Sequence, residues 1–223
     1  DSAKNVIKRV NAGGVATFAG GGQAGLANGS PLEALFSAPA ALAYESRQFG
    51  PVVFVADSGN DRVRRIHLSS QTGEATGVDE VAGVFTGVNS VATVDGAPFF
   101  VAGSDQSGVW RWDANATVTL PVALPNSSIS AVAVDVRGNV YVGDRGRHEI
   151  WRRTPAGDIQ VIGAASDPSG IAIDEGGNVY VTERASHSIL KISESGVSTI
   201  VAGLLTSGFQ NGNAGEATFN APE

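Results

Sequence analysis

The stretch Val53-Phe-Val-Ala-Asp-Ser-Gly-Asn-Asp-Arg-Val-Arg-Arg-Ile66 decides the fold, because its plan recurs along the chain. A short apolar strand ends on an acidic residue, a turn follows, and a second strand carries cations. The same line returns as FVAGSDQSGVWRW at 100–112, VYVGDRGRHEIWRR at 140–153 and VYVTERASHSILKI at 179–192. The chain opens on its second half, DSAKNVIKRV. Asp1, Asp57, Gly103, Asp144 and Glu183 align, and each is followed six residues later by Ile7, Val63, Val109, Ile150 or Ile189.

Working outward, a buried-type apolar segment precedes each complete copy, at 38–45, 90–96, 131–139 and 170–178. Small or alternating apolar residues suit an inner strand. Asp135 to Asn139 and Asp174 to Asn178, with Gly138 and Gly177 inside, read as tight turns in which glycine supplies positive φ. A further strand follows each copy, at 14–20, 78–83, 117–121, 158–163 and 197–203. Four antiparallel strands every ~40 residues, without helical periodicity, predict an all-β fold of β-propeller blades. A sandwich has no reason to repeat its strand order. The blades are expected at 38–83, 90–121, 129–163 and 169–203, with half a blade at 1–20 and a lead-in at 204–223, forming one incomplete domain over 1–223.

Composition agrees. Glycine takes 29 of 223 residues, about twice the usual share, as turn punctuation requires. There is no cysteine, so thiolate metal sites, disulfides and cysteine nucleophiles are excluded. A net charge of −7 argues against a nucleic-acid partner. No apolar run approaches the ~20 residues of a membrane-spanning helix.

Ala-Asp-x-x-Asn-x-Arg-Val-Arg at Ala56 to Arg64, Gly-Asn-Val-Tyr-Val at 138–142 and 177–181, and the Ala-x-Phe-x-x-Pro lead-in resemble the NHL-repeat family of propellers. The resemblance covers essentially the whole chain and speaks for fold far more than for activity. It implies six blades, and hence that the sequence is a segment of a longer protein whose open blade edges could pair between chains. It also implies an extracellular or periplasmic location. A lead-in at 24–41 aligns with 208–223: Asn28-Gly29 with Asn211-Gly212, Phe36 with Phe219 and Pro39 with Pro222.

Several residues invite a chemical role. Arg9, Arg65, Arg111, Arg152 and Lys191 recur in register on the third strands and could form a basic stripe for RNA. The simpler account has their stems cover apolar surface while their heads pair with carboxylates near the turn. Asp1, Asp57, Asp144 and Glu183 suit capping of turn amides or pairing with those cations. In the aberrant copy Ser104 or Asp105 could substitute. His148 and His187 sit in matching turns, beside Arg145 and Arg184, and these four are the candidate ligand contacts. Their bland reading is as turn residues. Ser37, Asn89, Ser128 or Ser130, Ser169 and Asp167 mark the entrances to first strands, a thin donor set for a hard cation. Asn28, Asn115 and Asn126 begin sequons that chance accounts for.

Two functions follow. The first is a non-enzymatic scaffold that presents loops, above all the long ones at 20–38 and 203–221, to a protein, peptide or glycan, with no cofactor and no metal. The alternative, drawn from six-bladed propeller enzymes, is a calcium-assisted hydrolase or lactonase.

Overall fold

The computed structural model describes residues 1–46, 50–93, 99–103, 108–113, 116–120 and 127–223. Ser104, Asp105, Asn115 and Asn126 lie outside the described residues. The chain forms two compact units, Asp1–Leu120 and Pro121–Glu223.

The first unit begins with a two-stranded sheet of β1 (Ile7–Asn11) and β2 (Gly14–Ala19). A four-stranded sheet follows, from β3 (Pro39–Glu45), β4 (Val52–Asp57), β5 (Arg62–Leu68) and β6 (Ala75–Glu80). The next is built from β7 (Val88–Ala92), β8 (Phe99–Gly103), β9 (Gly108–Asp113) and β10 (Ala116–Leu120). The second unit holds two such sheets. One comprises β11 (Ile129–Val134), β12 (Val140–Asp144), β13 (Glu149–Arg153) and β14 (Ile159–Ala164). The other comprises β15 (Pro168–Ile173), β16 (Val179–Glu183), β17 (Ser188–Ile192) and β18 (Ser198–Ala202). Each sheet runs antiparallel in sequence order, the four-stranded blade the repeat predicts.

The second strands β4, β12 and β16 are apolar up to their last one or two residues and largely buried, as strands with protein on both faces are. Val52 and Val55 to Asp57 are buried in β4, and every residue of β12 is buried. Cores therefore form between successive blades. In the first unit Phe54 and Val63 pack with Phe85, Val88 and Trp110, and Phe85 meets the Trp110 ring edge-on at 6.2 Å. In the second, Tyr141 and Ile150 pack with Val179, Val181 and Ile192.

The predicted tight turns form as read. Asp135 accepts the Asn139 amide at 2.9 Å, the Asn139 side chain at 2.7 Å and the Tyr141 hydroxyl at 3.1 Å. Asp174 repeats all three with Asn178 and Tyr180. Gly138 and Gly177 hold φ of 80° and 77°.

The register between first and second strands shifts at the same place in every four-stranded blade, leaving Ala40, Asn89, Ser130 and Ser169 as the extra residues. In the second unit the bulge gives serine a function: Ser130 Oγ donates to the Pro168 carbonyl at 2.5 Å, and Ser169 Oγ to the Pro222 carbonyl at 2.7 Å.

Candidate binding face at the turns after the second strands

Three of the second strands, β4, β12 and β16, end on an acid, and each acid turns back to the segment that enters its own blade. Asp57 accepts the Ser37 amide at 2.6 Å. Asp144 accepts the Ser128 amide at 2.9 Å and the Arg147 amide at 3.1 Å. Glu183 accepts the Ser166 amide and the Ser166 hydroxyl, both at 2.9 Å. All three acids are buried. They cap amides, as their recurrence at a turn implies, and in doing so fix where the first strand starts.

Four residues past each acid the backbone turns left-handed: Asn5, Asp61, His148 and His187 have φ between 53° and 58°. Asparagine, aspartate and histidine are the side chains that tolerate this region best. Each reaches forward into the next lead-in. Asn5 Oδ1 accepts the Ala38 amide at 2.9 Å, and Asp61 Oδ1 accepts that of Gly87 at 2.8 Å. His148 Nδ1 lies 2.5 Å from the Ser166 carbonyl, whereas His187 Nδ1 accepts the Ala221 amide at 3.0 Å. A carbonyl can only accept and an amide can only donate, so His148 carries its proton on Nδ1 and neutral His187 carries it on Nε2.

The four candidate contacts thus share one environment. Arg145 pairs with Asp167, and Arg184 with Glu223 at 3.3 Å. Each histidine and its neighbouring arginine grip the same short entrance segment. His148 also lines an open groove of about 500 Å³ with Ala165, Glu183, Ser186, Leu190 and Ile200. Ser37, Ser130, Ser169 and Asp167 are engaged in these same inter-segment bonds. Among the described residues no group of three or more His, Asp or Glu side chains is arranged to hold a metal ion.

The third-strand cations find partners on two sides. Lys8 meets Asp1 at 2.7 Å and Arg64 meets Asp57 at 3.2 Å, pairs near the turn made by the residues next to the in-register cations. Arg9 and Arg65 instead pair away from it, with Glu74 and with Asp79 next door on the fourth strand. The reason is the pleat: adjacent residues on a strand point to opposite faces, so Arg64 and Arg65 cannot share a partner. Burial works to raise the Asp79 carboxyl, but hydrogen bonds from Arg65 and His67 and their charge outweigh it and hold it below the usual carboxylate value. Lys191 lies 5.6 Å over the Tyr180 ring.

The long loops were the other sequence candidates, and they share one path. In the first, the Gly25 amide donates to Phe36, Leu35 to Ala27 and Ala34 to Ser30. In the second, Gly208 donates to Phe219, Thr218 to Gln210 and Ala217 to Asn213. Ala38 and Ala221 both have φ of 47°. What the sequence did not single out is Arg64. Fully buried, it donates to the carbonyls of Leu35 and Ala27 at 2.7 Å and to Asn28 Oδ1 at 2.8 Å, with its guanidinium 5.2 Å from the Phe36 ring centre. Its strand carries three arginines, Arg62, Arg64 and Arg65, and only the packing of the loop over it tells which one is buried.

Residues 166–192 match the model of the NHL repeat. No curated protein sequence matches the chain. Among solved structures it is similar to virginiamycin B lyase from Staphylococcus aureus, at 14% identity and a TM-score of 0.65, over 89% of this chain and 63% of that one. It is similar to an auxiliary nutrient binding protein from Bacteroides thetaiotaomicron, at 15% identity and a TM-score of 0.69, over 99% of this chain and 58% of that one. A third likeness is to a nidogen/laminin complex structure, at 16% identity and a TM-score of 0.67, over 91% of this chain and 77% of that one. The chain spans less than two thirds of the lyase and nutrient-binding chains. Identities this low speak for fold, and these neighbours serve different ends. Residues 166–192 thus carry an NHL repeat, and the four-stranded antiparallel blades and the solved neighbours give the chain a β-propeller fold of the NHL type.

Proposed function

We propose that this protein is a non-enzymatic binding scaffold, a propeller of six blades when whole, that presents its long loops to a protein, peptide or glycan outside the cytoplasm. The observation that carries the reading is the loop at 203–221. Its path is set by regular backbone hydrogen bonds, yet it displays Phe209 at 98% exposure beside Leu204 and Leu205, which are also exposed. Leu205 holds φ of 62°, a left-handed conformation unfavourable for leucine. Exposed apolar side chains on a defined, strained loop are what a contact surface offers. Structurally similar proteins include an auxiliary nutrient binding protein and a nidogen/laminin complex, in keeping with a binding role. No helix among the described residues is long and apolar enough to cross a membrane.

The test is a panel of peptides and glycans titrated against the full chain and followed by amide NMR. The reading expects saturable shifts in 203–221 that vanish in a Leu204→Ser, Leu205→Ser, Phe209→Ser variant with an unchanged circular dichroism spectrum. Calcium-dependent hydrolysis of an ester or lactone that survives those three changes would overturn it.

A further inference from the structure

We propose that the groove between the end of β14 and the strands β17 and β18 docks an extended peptide segment of a partner protein, with an aromatic side chain of that segment in the groove. The residues that line it belong to neither long loop, so the proposal goes beyond the binding reading above and does not depend on it.

One place differs between the blades. The residue seven past the end of the second strand meets the residue three before the first strand. In the blade β3–β6 these are Arg64 and Phe36, with the guanidinium 5.2 Å from the ring centre. In β7–β10 they are Trp110 and Phe85, packed edge-on at 6.2 Å. In β11–β14 the residue seven past the strand is Trp151, which is buried. In β15–β18 the two positions hold Leu190 and Ala165, so neither a ring nor a guanidinium is present. The groove of about 500 Å³ lined by Leu190, Ile200, Ala165 and His148 lies at this place. Leu190 is half-buried there and Ile200 is 50% exposed.

The connection into this blade is also short. Residues 20–38 join β2 to β3 and accept hydrogen bonds from Asn60 and Arg64 at 2.7 Å, whereas residues 165–167 alone join β14 to β15. The groove faces the preceding blade, because Leu190 packs on the cluster of Tyr141, Ile150 and Ile192. Both of its walls lie within the Pro121–Glu223 unit. Its opening therefore comes from two small side chains and a short connection. A ring is the group that fits, since aromatic side chains occupy this place in the other blades. An extended segment fits because the chain already seats one in the matching position. Gly29 and Val78 exchange backbone bonds at 3.0 and 2.8 Å along the outer edge of β6, and Ser198 of β18 matches Val78 in register. Ser198 is exposed, and among the described residues β18 pairs with β17 alone. Such an edge takes a strand through its unpaired backbone groups. The lining holds Glu183 but no lysine or arginine, and the chain carries a net charge of −7, so a basic strand suits it better than an acidic one.

The test titrates the full chain, followed by amide NMR, with the peptide N-acetyl-Lys-Val-Phe-Val-Lys-amide and two controls: the same peptide with alanine in place of phenylalanine, and N-acetyl-phenylalanine amide. The aromatic peptide should shift Ala165, Leu190, Ser198 and Ile200 saturably, and the alanine peptide should bind at least about tenfold more weakly. N-acetyl-phenylalanine amide should also bind more weakly, because it cannot pair along the strand edge. Leu190→Trp supplies the side chain that Trp110 and Trp151 supply elsewhere, and should weaken the aromatic peptide by at least about tenfold without lowering the thermal midpoint. Ile200→Glu copies Glu80 at the matching exposed position and should weaken binding too, which keeps the test decisive if the tryptophan variant fails to fold. Equal binding of the aromatic and alanine peptides, shifts confined to residues outside the groove, or undiminished binding by the folded variants would overturn the proposal. So would N-acetyl-phenylalanine amide binding as tightly as the peptide, since the strand edge would then contribute nothing. Self-association of the chain that the peptide reverses, seen by light scattering, would make a second copy the occupant and overturn the assignment to a separate partner.

Discussion

Loops 20–38 and 203–221 follow the same backbone path, and they differ in what covers them. In the first, a buried guanidinium joins three segments and the loop becomes core. In the second, the same turns stand open and carry apolar side chains outward. The path is set locally, by glycine and by amide bonds within about ten residues, so both loops have it. Burial is set by a partner strand, so only one loop has it.

Removing the partner should separate the loops most sharply. Arg64→Met leaves the Asp57 carboxylate and two carbonyls buried without their cation, and should lower the stability of the Asp1–Leu120 unit by about 3–5 kcal/mol in urea unfolding. Asn211→Ala in the open loop should stay within about 0.5 kcal/mol. Equal effects would break the comparison.

The bend that enters each loop offers a second test. Gly203 has φ of 97°, and a Cβ there would lie 2.5 Å from the His187 carbonyl. Gly203→Ala should therefore destabilise by about 1–3 kcal/mol in thermal unfolding. Two residues on, the loops diverge: Gly22 and Leu205 are both left-handed, with φ of 85° and 62°. Leu205→Gly should stabilise slightly, by less than about 1 kcal/mol, because it relieves strain at some entropic cost. A loss of stability instead would mean that Leu205 packs usefully.

The outward-facing neighbour of Arg64 supplies a pH test. Asp79 is held below its ordinary value of 3.8 when folded. Its contribution is therefore present above the unfolded carboxylate value and is lost as pH falls through the folded one. Being partly exposed, the pair should contribute less than about 1 kcal/mol. Asp79→Asn should flatten the stability profile in that acid window, as read by unfolding at successive pH values. The smallest effect is expected at the latch. His187→Asn places at this turn the residue type that Asn5 already uses in the same left-handed conformation, and should change stability by no more than about 0.5 kcal/mol.

Much of the fold was legible because each blade is a local object. Alternation, the acid at the end of the second strand and the Asp-Gly-Asn turns are visible within about 40 residues, and the four-stranded sheets follow them. The left-handed position went unread, although Asn5, Asp61, His148 and His187 are the residue types that tolerate it. The site was less legible. His148 and His187 look alike in sequence, yet one donates and the other accepts, because one meets a carbonyl and the other an amide.

The sequence alone determined the strand plan, the turns and the shape of both long loops, since these depend on neighbours along the chain. Only the tertiary structure decided that Arg64 is buried while Arg65 is not, which loop is closed, and which proton each histidine carries. Those outcomes depend on groups brought together from distant segments, and a short polar atom there reverses roles according to what it meets.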